Sequence, residues 1–477
     1  MPAHPPGTGR DCMTRSASDK ESKGTSPVIV LLGILLLATA LTYLVESGRY
    51  ERDGRLVVPG TYQVLEKDSS PLHLFDTSRE VPPEAAHPVS LVGALLAIPA
   101  GLERMAGLIF MVLMIGGMFG IVTHSGAVDA GLEKLLHSVG GNLYVLVPAL
   151  MLVFSAGSAF MGLASEYLLI IPLMVTMSNR LGMSNVVGLA IVTVAVKAGY
   201  ISSVSNPIPL SIAQPLVGLQ VFSGAGFRLI CYFAFLAAGI AYVLWMIRRE
   251  HGAGSFEQEF DATPLSARHR ITLVSLVAGV AFLVWGSNRW HWSDEELSAY
   301  YIGLSAVLAA TGGLGASEAA DAFVRGMKKV LMATMLIGVA SAVAVVLQEG
   351  QVLDSIVHSL TGLIGDGGAW VAAVGMFFAQ LLLDFLIPST SGQAAVSMPI
   401  MGPLGQLTGV SPQTTVLAFL FGNGITNLLT PTSGTLLAYL AAAQVGWVQW
   451  ARFAFRLWLV YIALAILMLT VAIETGF

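Results

Sequence analysis

Two interrupted apolar stretches that match each other at one fixed offset constrain this chain more than any other feature. Pro172 pairs with Pro399, Met174 with Met401, Gly182 with Gly409 and Ser184 with Ser411, always 227 residues apart (399 − 172, 401 − 174, 409 − 182, 411 − 184). Each copy precedes an apolar helix broken by polar, Gly and Pro residues. The break reads Ser202-Ser203-Val204-Ser205-Asn206-Pro207 in the first half and Thr430-Pro431-Thr432-Ser433-Gly434 in the second. Paired interruptions in the two halves of an apolar chain point to the mid-membrane site of a secondary transporter. Chance similarity between two Gly/Pro-rich spans is the competing explanation.

The apolar background supports a membrane setting. Hydrophobic residues make up 55% of the 477 and charged residues only 11%, a balance no soluble core requires, so the expected class is an all-α polytopic membrane protein. The net charge of −5 says little, because the placement of Lys and Arg sets orientation. The two cysteines, Cys12 in a polar tail and Cys231 in an apolar span, exclude a disulfide framework or a CxxC metal site. No Walker loop, GxGxxG after a strand, or HExxH occurs, which argues against an ATP-driven pump or a membrane metalloprotease. The expectation is a non-enzyme with no organic cofactor and no nucleic-acid partner, embedded in a lipid bilayer.

Hydropathy and basic residues give a topology. Residues 1–26, with Arg10, Arg15, Lys20 and Lys23, read as a disordered cytoplasmic tail. The apolar run that follows is long enough to span, which argues against a cleaved signal peptide. Residues 27–46 form a first transmembrane helix; 47–107 form an extracytoplasmic loop and an interfacial helix closed by Glu103 and Arg104. A first repeat covers 108–247, with a broken helix at 186–222. A cytoplasmic loop and scaffold helices occupy 248–330. A second repeat covers 331–477, with a hairpin at 368–404 and a broken helix at 414–441. Residues 143–178 fit either two crossings or a re-entrant hairpin, and the repeat favours the hairpin. The sum is nine crossings and two hairpins, with every Lys/Arg-rich loop inside, the N-terminus cytoplasmic and the C-terminus extracytoplasmic. Spans starting at 108 and 331 run in opposite directions, so the repeat is inverted.

Hairpin tips and broken helices free backbone groups at bilayer depth, where helix N-termini attract anions and carbonyls attract cations. The candidate substrate contacts are Ser165, Ser205 and Asn206 in the first half. In the second they are Ser389, Thr390, Ser391, Gly392, Asn427, Thr430, Thr432 and Ser433. Small and hydroxyl residues also simply pack membrane helices closely. Glu166, Lys197 and Asp384 are isolated ionisable residues in apolar runs, each costing about 3 kcal/mol or more at the bilayer centre. With Asn423 they are the candidate coupling or charge group. Coupling to Na⁺ or H⁺ is expected, with sodium held near Ser389, Asn423 and Thr430 if it is the ion. Glu166 aligns with Gln393 at the same offset. Lys197, about two turns before the first break, is expected to take over the role of a bound cation there, with Glu166 as its partner or as a proton-exchanging carboxylate. The competing reading is a static Glu166–Lys197 ion pair.

Three motifs carry a family likeness. They are Gly116-Gly117-Met118-Phe119-Gly120 running to Ser125-Gly126-Ala127-Val128-Asp129-Ala130-Gly131, Ile387-Pro388-Ser389-Thr390-Ser391-Gly392-Gln393 followed by Met398-Pro399-Ile400-Met401-Gly402-Pro403-Leu404, and Gly422-Asn423-Gly424-Ile425-Thr426-Asn427 running to Gly434. With these the chain resembles the C4-dicarboxylate anaerobic carrier family, particularly its YfcC-like branch, within the ion-transporter superfamily of elevator carriers. The resemblance implies a scaffold domain and a moving transport domain that carries carboxylates, amino acids or peptides, by symport or antiport, in the bacterial cytoplasmic (inner) membrane. A homodimer is expected. The first-half tip departs from the family, reading Gly162-Leu163-Ala164-Ser165-Glu166 where a Gly-Met-Ala-Glu-Glu is usual. Lys197 and Tyr200 stand where the family is Gly/Ala-rich. The lead expectation is a secondary active transporter of a small carboxylate or amino acid; an ion-conducting channel and a non-transporting sensor are the alternatives.

Overall fold

The computed structural model describes residues 27–53, 56–75, 85–128, 130, 131, 134, 143–251, 266–290, 292–362, 364 and 368–477. The polar tail at 1–26, and Cys12 with it, lies outside them. Apolar runs bounded by Ser, Asn, Pro and Gly set the helices, since Ser and Asn side chains cap free N–H groups and Pro suits a first turn. Asn206, Ser389, Ser411 and Ser433 each cap a helix by accepting from a backbone N–H two or three residues on.

One packing group contains α1 (Pro27–Leu44), α2 (Leu91–Arg104), α3 (Ala106–His124), α9 (Ala267–Trp290), α10 (Asp294–Gly312) and α11 (Ala316–Glu349). Glycines bring α3 and α11 into close contact: a Cβ on Gly120 would lie 2.1 Å from the Ala322 carbonyl oxygen. Such backbone proximity is how small residues drive helix association in lipid. The second group contains α4 (Leu143–Ala156, continued by a π turn over Gly157–Met161), α5 (Ile171–Arg180), α6 (Asn185–Ser202), α7 (Pro207–Leu216) and α8 (Ala225–His251). With them pack α13 (Gly368–Leu386), α14 (Thr390–Leu407), α15 (Pro412–Thr426), α16 (Gly434–Ala443) and α17 (Trp447–Glu474). The short α12 (Leu353–Gly362) sits beside α13 and α14.

Within the second group two segments fold back. Tyr144, at the start of α4, stacks 5.0 Å from the Arg248 guanidinium, and Ser184, beyond α5, bonds Glu250 at 3.2 Å. Both ends of that segment therefore reach the C-terminal end of α8. Likewise Trp370, at the start of α13, donates to Thr470 at 2.9 Å. Thr414, just after α14, donates to the Phe477 carbonyl at 2.9 Å, so both ends of the second segment reach the C-terminal end of α17.

The broken helices run against each other. Asn185 ties the start of α6 to the Ala443 carbonyl at the end of α16 (3.0 Å), and Gln413 ties the start of α15 to Ser223, past α7 (2.8 Å). Hence α6 and α15 begin at opposite ends and meet near their C-termini. Gly424 permits the meeting, since a Cβ there would lie 2.7 Å from Ile201 Cγ1 and 3.0 Å from its Cα.

Three details differ from the sequence reading. The boundary at 330 falls inside α11, one 34-residue helix that carries Arg325, Lys328 and Lys329; its Ala/Met/Leu-rich run has no Pro to end it. α12 was not foreseen. The segment after α1 is built rather than bare: β1 (Gly48–Arg49) pairs antiparallel with β4 (Gln63–Val64), and β2 (Arg52–Asp53) with β3 (Leu56–Val57). It is pinned to α12, where Arg52 and the Tyr50 N–H both bond buried Asp354 and Tyr62 stacks on His358 at 4.0 Å. Burial, with the Asp354 carboxylate and Tyr62 adding to it, pushes the Tyr50 phenol up to about 12. Among the described residues seven helices are long and apolar enough to cross a membrane, including the first limbs of both folded-back segments. α10, with Asp294, Glu295 and Glu296 in its first turn, is not among the seven.

Candidate functional site

The second folded-back segment turns at Ile387-Pro388-Ser389, where Pro388 ends α13 and Ser389 caps α14 by accepting from the Gly392 N–H (3.3 Å). This tip opens onto a cavity of about 740 Å³ lined by Ser389, Ser391 and Gly392 together with Arg49, Arg52 and Arg104. Arg52 holds Asp354 at 2.8 Å, and Arg104 donates to Gln348 Oε1 at 2.9 Å. A helix N-terminus, two hydroxyls and three guanidinium groups, one of them paired with Asp354, which also lines the cavity, leave a net positive, hydrogen-bonding pocket that can take a carboxylate. It lies in the cleft between the two packing groups. A second, smaller cavity of about 200 Å³ lies between the same groups. It is lined by Gly116, Thr123, Lys329, Pro172, Asn179 and Asn185.

Behind the tip, Asp384 is fully buried and is the hub of an amide network. Asn423 Nδ2 donates to Asp384 Oδ1 at 2.6 Å and to Gln393 Oε1 at 2.8 Å; Asn427 Nδ2 donates to both Asp384 oxygens at 2.9 Å. Ser433 Oγ donates to Asn427 Oδ1 at 2.7 Å. Thr430 and Thr432 share a hydroxyl contact at 2.7 Å, and Thr432 donates to the Phe385 carbonyl at 3.0 Å. A second layer joins Gln380, Gln393 and Ser397. Polar groups at this depth persist when each is paired, and the spacing Asn423–Asn427 puts both amides on one helix face.

The first half enters this network through α6. The Tyr200 hydroxyl donates to Asn423 Oδ1 at 2.5 Å and also touches the Thr390 hydroxyl. Lys197, 6% exposed, lies with its ammonium 5.8 Å from the Tyr200 ring centroid.

The expected Glu166–Lys197 partnership is therefore corrected. Glu166 instead accepts from the Ala164 N–H at 2.9 Å on the first tip, where Tyr439 also donates to the Ala164 carbonyl at 2.6 Å. Lys197 does not fill the carbonyls freed at the first break either: Ser203 and Val204 accept from Arg228, each at 3.1 Å. Ser205 bonds the Phe160 carbonyl at 3.2 Å and Asn206 caps α7. Ser165, Ser205 and Asn206 thus gather at the first tip, and none of them lines the 740 Å³ cavity.

The sequence reading named Asn427, Thr430, Thr432 and Ser433 as substrate contacts and Asp384 and Asn423 as charge or coupling residues, and the structure places all six in one buried network; it did not name Arg49, Arg52, Arg104 or Arg228. Arg228 had a readable signal, a lone basic residue one turn into an otherwise apolar span. The cavity arginines had none, because they sit in polar or interfacial sequence and reach the tip only through the pinned segment and α2.

The chain matches the C4-dicarboxylate anaerobic carrier family, DcuC, over residues 25–474. It is 28% identical over 470 residues to an Escherichia coli K12 protein named "Putative basic amino acid antiporter YfcC", covering 89% of this chain and 91% of that one. Among solved structures it is similar to the YdaH transporter of Alcanivorax borkumensis (15% identity, TM-score 0.43, covering 95% of this chain and 99% of that one). It is likewise similar to MtrF of Neisseria gonorrhoeae (16% identity, TM-score 0.43, covering 94% and 95%). The chain belongs to the C4-dicarboxylate anaerobic carrier family and is a multi-pass membrane transporter, not an enzyme.

Proposed function

We propose that the chain is a secondary active, elevator-type carrier that moves a small carboxylate-bearing solute across the cytoplasmic membrane. The substrate carboxylate docks at the N-terminus of α14, against Ser389, Ser391 and Gly392. The observation that carries this reading is the 740 Å³ cavity, in which a hairpin tip of one packing group faces Arg104 of the other, with Arg49 and Arg52 of the segment after α1 beside them. A second cavity between the same groups, lined by different residues, supports a sliding boundary between a scaffold and a transport domain. The two units are inverted repeats in this reading, and their folded-back segments are re-entrant hairpins. Three guanidinium groups against one carboxylate, Asp354, favour an anion over a cation by long-range attraction. A dicarboxylate therefore fits the vestibule better than the basic amino acid in the relative's name, although an amino acid also offers one carboxylate.

Exchange is the natural mode for a site that closes around charge. Counterflow in proteoliposomes tests the proposal, using labelled succinate and labelled arginine in parallel. A carrier concentrates label against its gradient when loaded with the unlabelled solute; a channel does not. Ser391→Ala is expected to raise the half-saturating succinate concentration with folded protein retained. Counterflow of arginine but not succinate would overturn the substrate assignment, and absence of counterflow for both would leave the anionic carrier reading without support.

A further inference from the structure

Arg228 is a fully buried charge for which the carrier reading has no task. It stands one turn into α8, 1% exposed, in a helix that stays apolar as far as Ile247. The ion pairs among the described residues lie elsewhere: Arg52–Asp354, His73–Asp68 and His124–Glu318. Instead the guanidinium faces three carbonyls, with Nε on Ser203 O at 3.1 Å, Nη2 on Val204 O at 3.1 Å and Nη1 on Ser223 O at 2.7 Å. Ser203 is in the left-handed region (φ +40), so α6 ends abruptly there. The carbonyls this end frees carry the negative pole of the helix dipole. A planar guanidinium with several divergent donors can satisfy all three at once, which a spherical ion does only by coordination and a lysine only by a point charge.

The second half closes its break differently. Trp450 Nε1 donates to Leu428 O at 2.8 Å and Trp447 Nε1 to Leu429 O at 2.9 Å. Both indoles sit at the start of α17, the helix after the broken one, just as Arg228 sits at the start of α8. Two of the three oxygens expected to hold sodium are engaged too, while Ser389 lines the open cavity away from both breaks: Asn423 Oδ1 accepts from Tyr200, and the Thr430 hydroxyl is shared with Thr432.

We propose that Arg228 is a permanent, tethered cation occupying the carbonyl site created by the α6–α7 break, so that with two indoles closing the other break neither coordinates an exchangeable monovalent cation. This goes beyond the carrier reading and stands whichever solute is moved. Its consequence is that sodium is not the coupling ion at these breaks.

The test is melting of the purified full chain in detergent micelles, in sodium chloride or choline chloride at equal ionic strength. The parent protein is expected to melt identically in both. Arg228→Ala opens the carbonyls to solvent ions, so its melting point is expected to fall in choline and to recover by about 3 °C in sodium. Arg228→Lys, which keeps a tethered charge, is expected to remain indifferent to sodium. If Arg228→Ala cannot be purified in either salt, Arg228→Gln, neutral and still able to donate to one carbonyl, takes its place with the same expected sodium response. A parent protein stabilised by sodium over choline overturns the proposal. So does a neutral variant at Arg228 that melts identically in the two salts.

Discussion

Asp384 is the residue whose replacement most directly tests the buried network. Asp384→Ala removes the acceptor for one N–H of Asn423 and two contacts from Asn427, while the second N–H of each amide keeps its partner, Gln393 Oε1 or the Asn423 carbonyl. Two buried donors left short cost about 1–3 kcal/mol each, so the expected loss is about 2–6 kcal/mol. On an unfolding entropy of about 2.1 cal/mol/K per residue, a chain of 477 residues would melt about 2–6 °C lower. Asp384→Asn separates acceptor from charge, because one oxygen remains to accept while the charge is gone. Lys197→Met combined with Asp384→Asn should then recover about 1–3 kcal/mol relative to the sum of the single changes. Melting in detergent micelles, read with monodispersity, gives all four corners of the cycle. Strict additivity would refute the electrostatic link between α6 and α13, and an Asp384→Ala protein as stable as its parent would refute the network's structural importance.

Two further expectations follow from the tips and the vestibule. Ser391→Cys should react with a membrane-impermeant thiol reagent added on the side that carries residues 48–67, whereas free reaction of Ser165→Cys from that side would mean that 143–178 is two crossings around an outer loop. Arg104→Gln should raise the half-saturating concentration of an anionic solute roughly 3–10-fold at low ionic strength and less at high ionic strength, because exposed charge is screened within a Debye length; an equal effect at both would mean that Arg104 contributes packing instead.

Much of the helical layout was legible because lipid leaves a chain few choices. Apolar runs had to become helices, and the ends of α1, α3, α6 and α8 lie at Leu44, His124, Ser202 and His251, close to where polar residues interrupt the sequence. The break at 203–206 was readable from Pro207 and Asn206, whose chemistry starts a helix rather than continuing one. Less could be read where context overrode local signals. Arg325, Lys328 and Lys329 read as a loop, yet the long α11 carries them because nothing in 316–349 is a strong helix breaker and the helix packs along α2 and α3. α12 is ten residues and only moderately apolar. Its partner is the segment after α1, some three hundred positions earlier, and no local pattern announces that pairing.

The site divides in the same way, and the division bears on mechanism. Carboxamides one turn apart, Asn423 and Asn427, were visible, as was Asp384, a lone acid in an apolar run; that the three meet was not, because what joins them is the packing of α13 beside α15. Lys197 was visible too, but its partner was misassigned, because the repeat alignment put Glu166 opposite while the actual crossing at Gly424 brings α6 to the second half instead. An internal repeat predicts equivalent positions within each half and says nothing about which half a side chain points into. The consequence is asymmetric electrostatics. The first break holds a fixed guanidinium on its own carbonyls, and the second is closed by neutral indoles. Tyr200 of the first half bonds the Asn423 amide that in turn holds Asp384. A carrier built this way joins its halves by hydrogen bonds at the crossing of α6 and α15, so any event that separates the two helices must break the Tyr200–Asn423 bond.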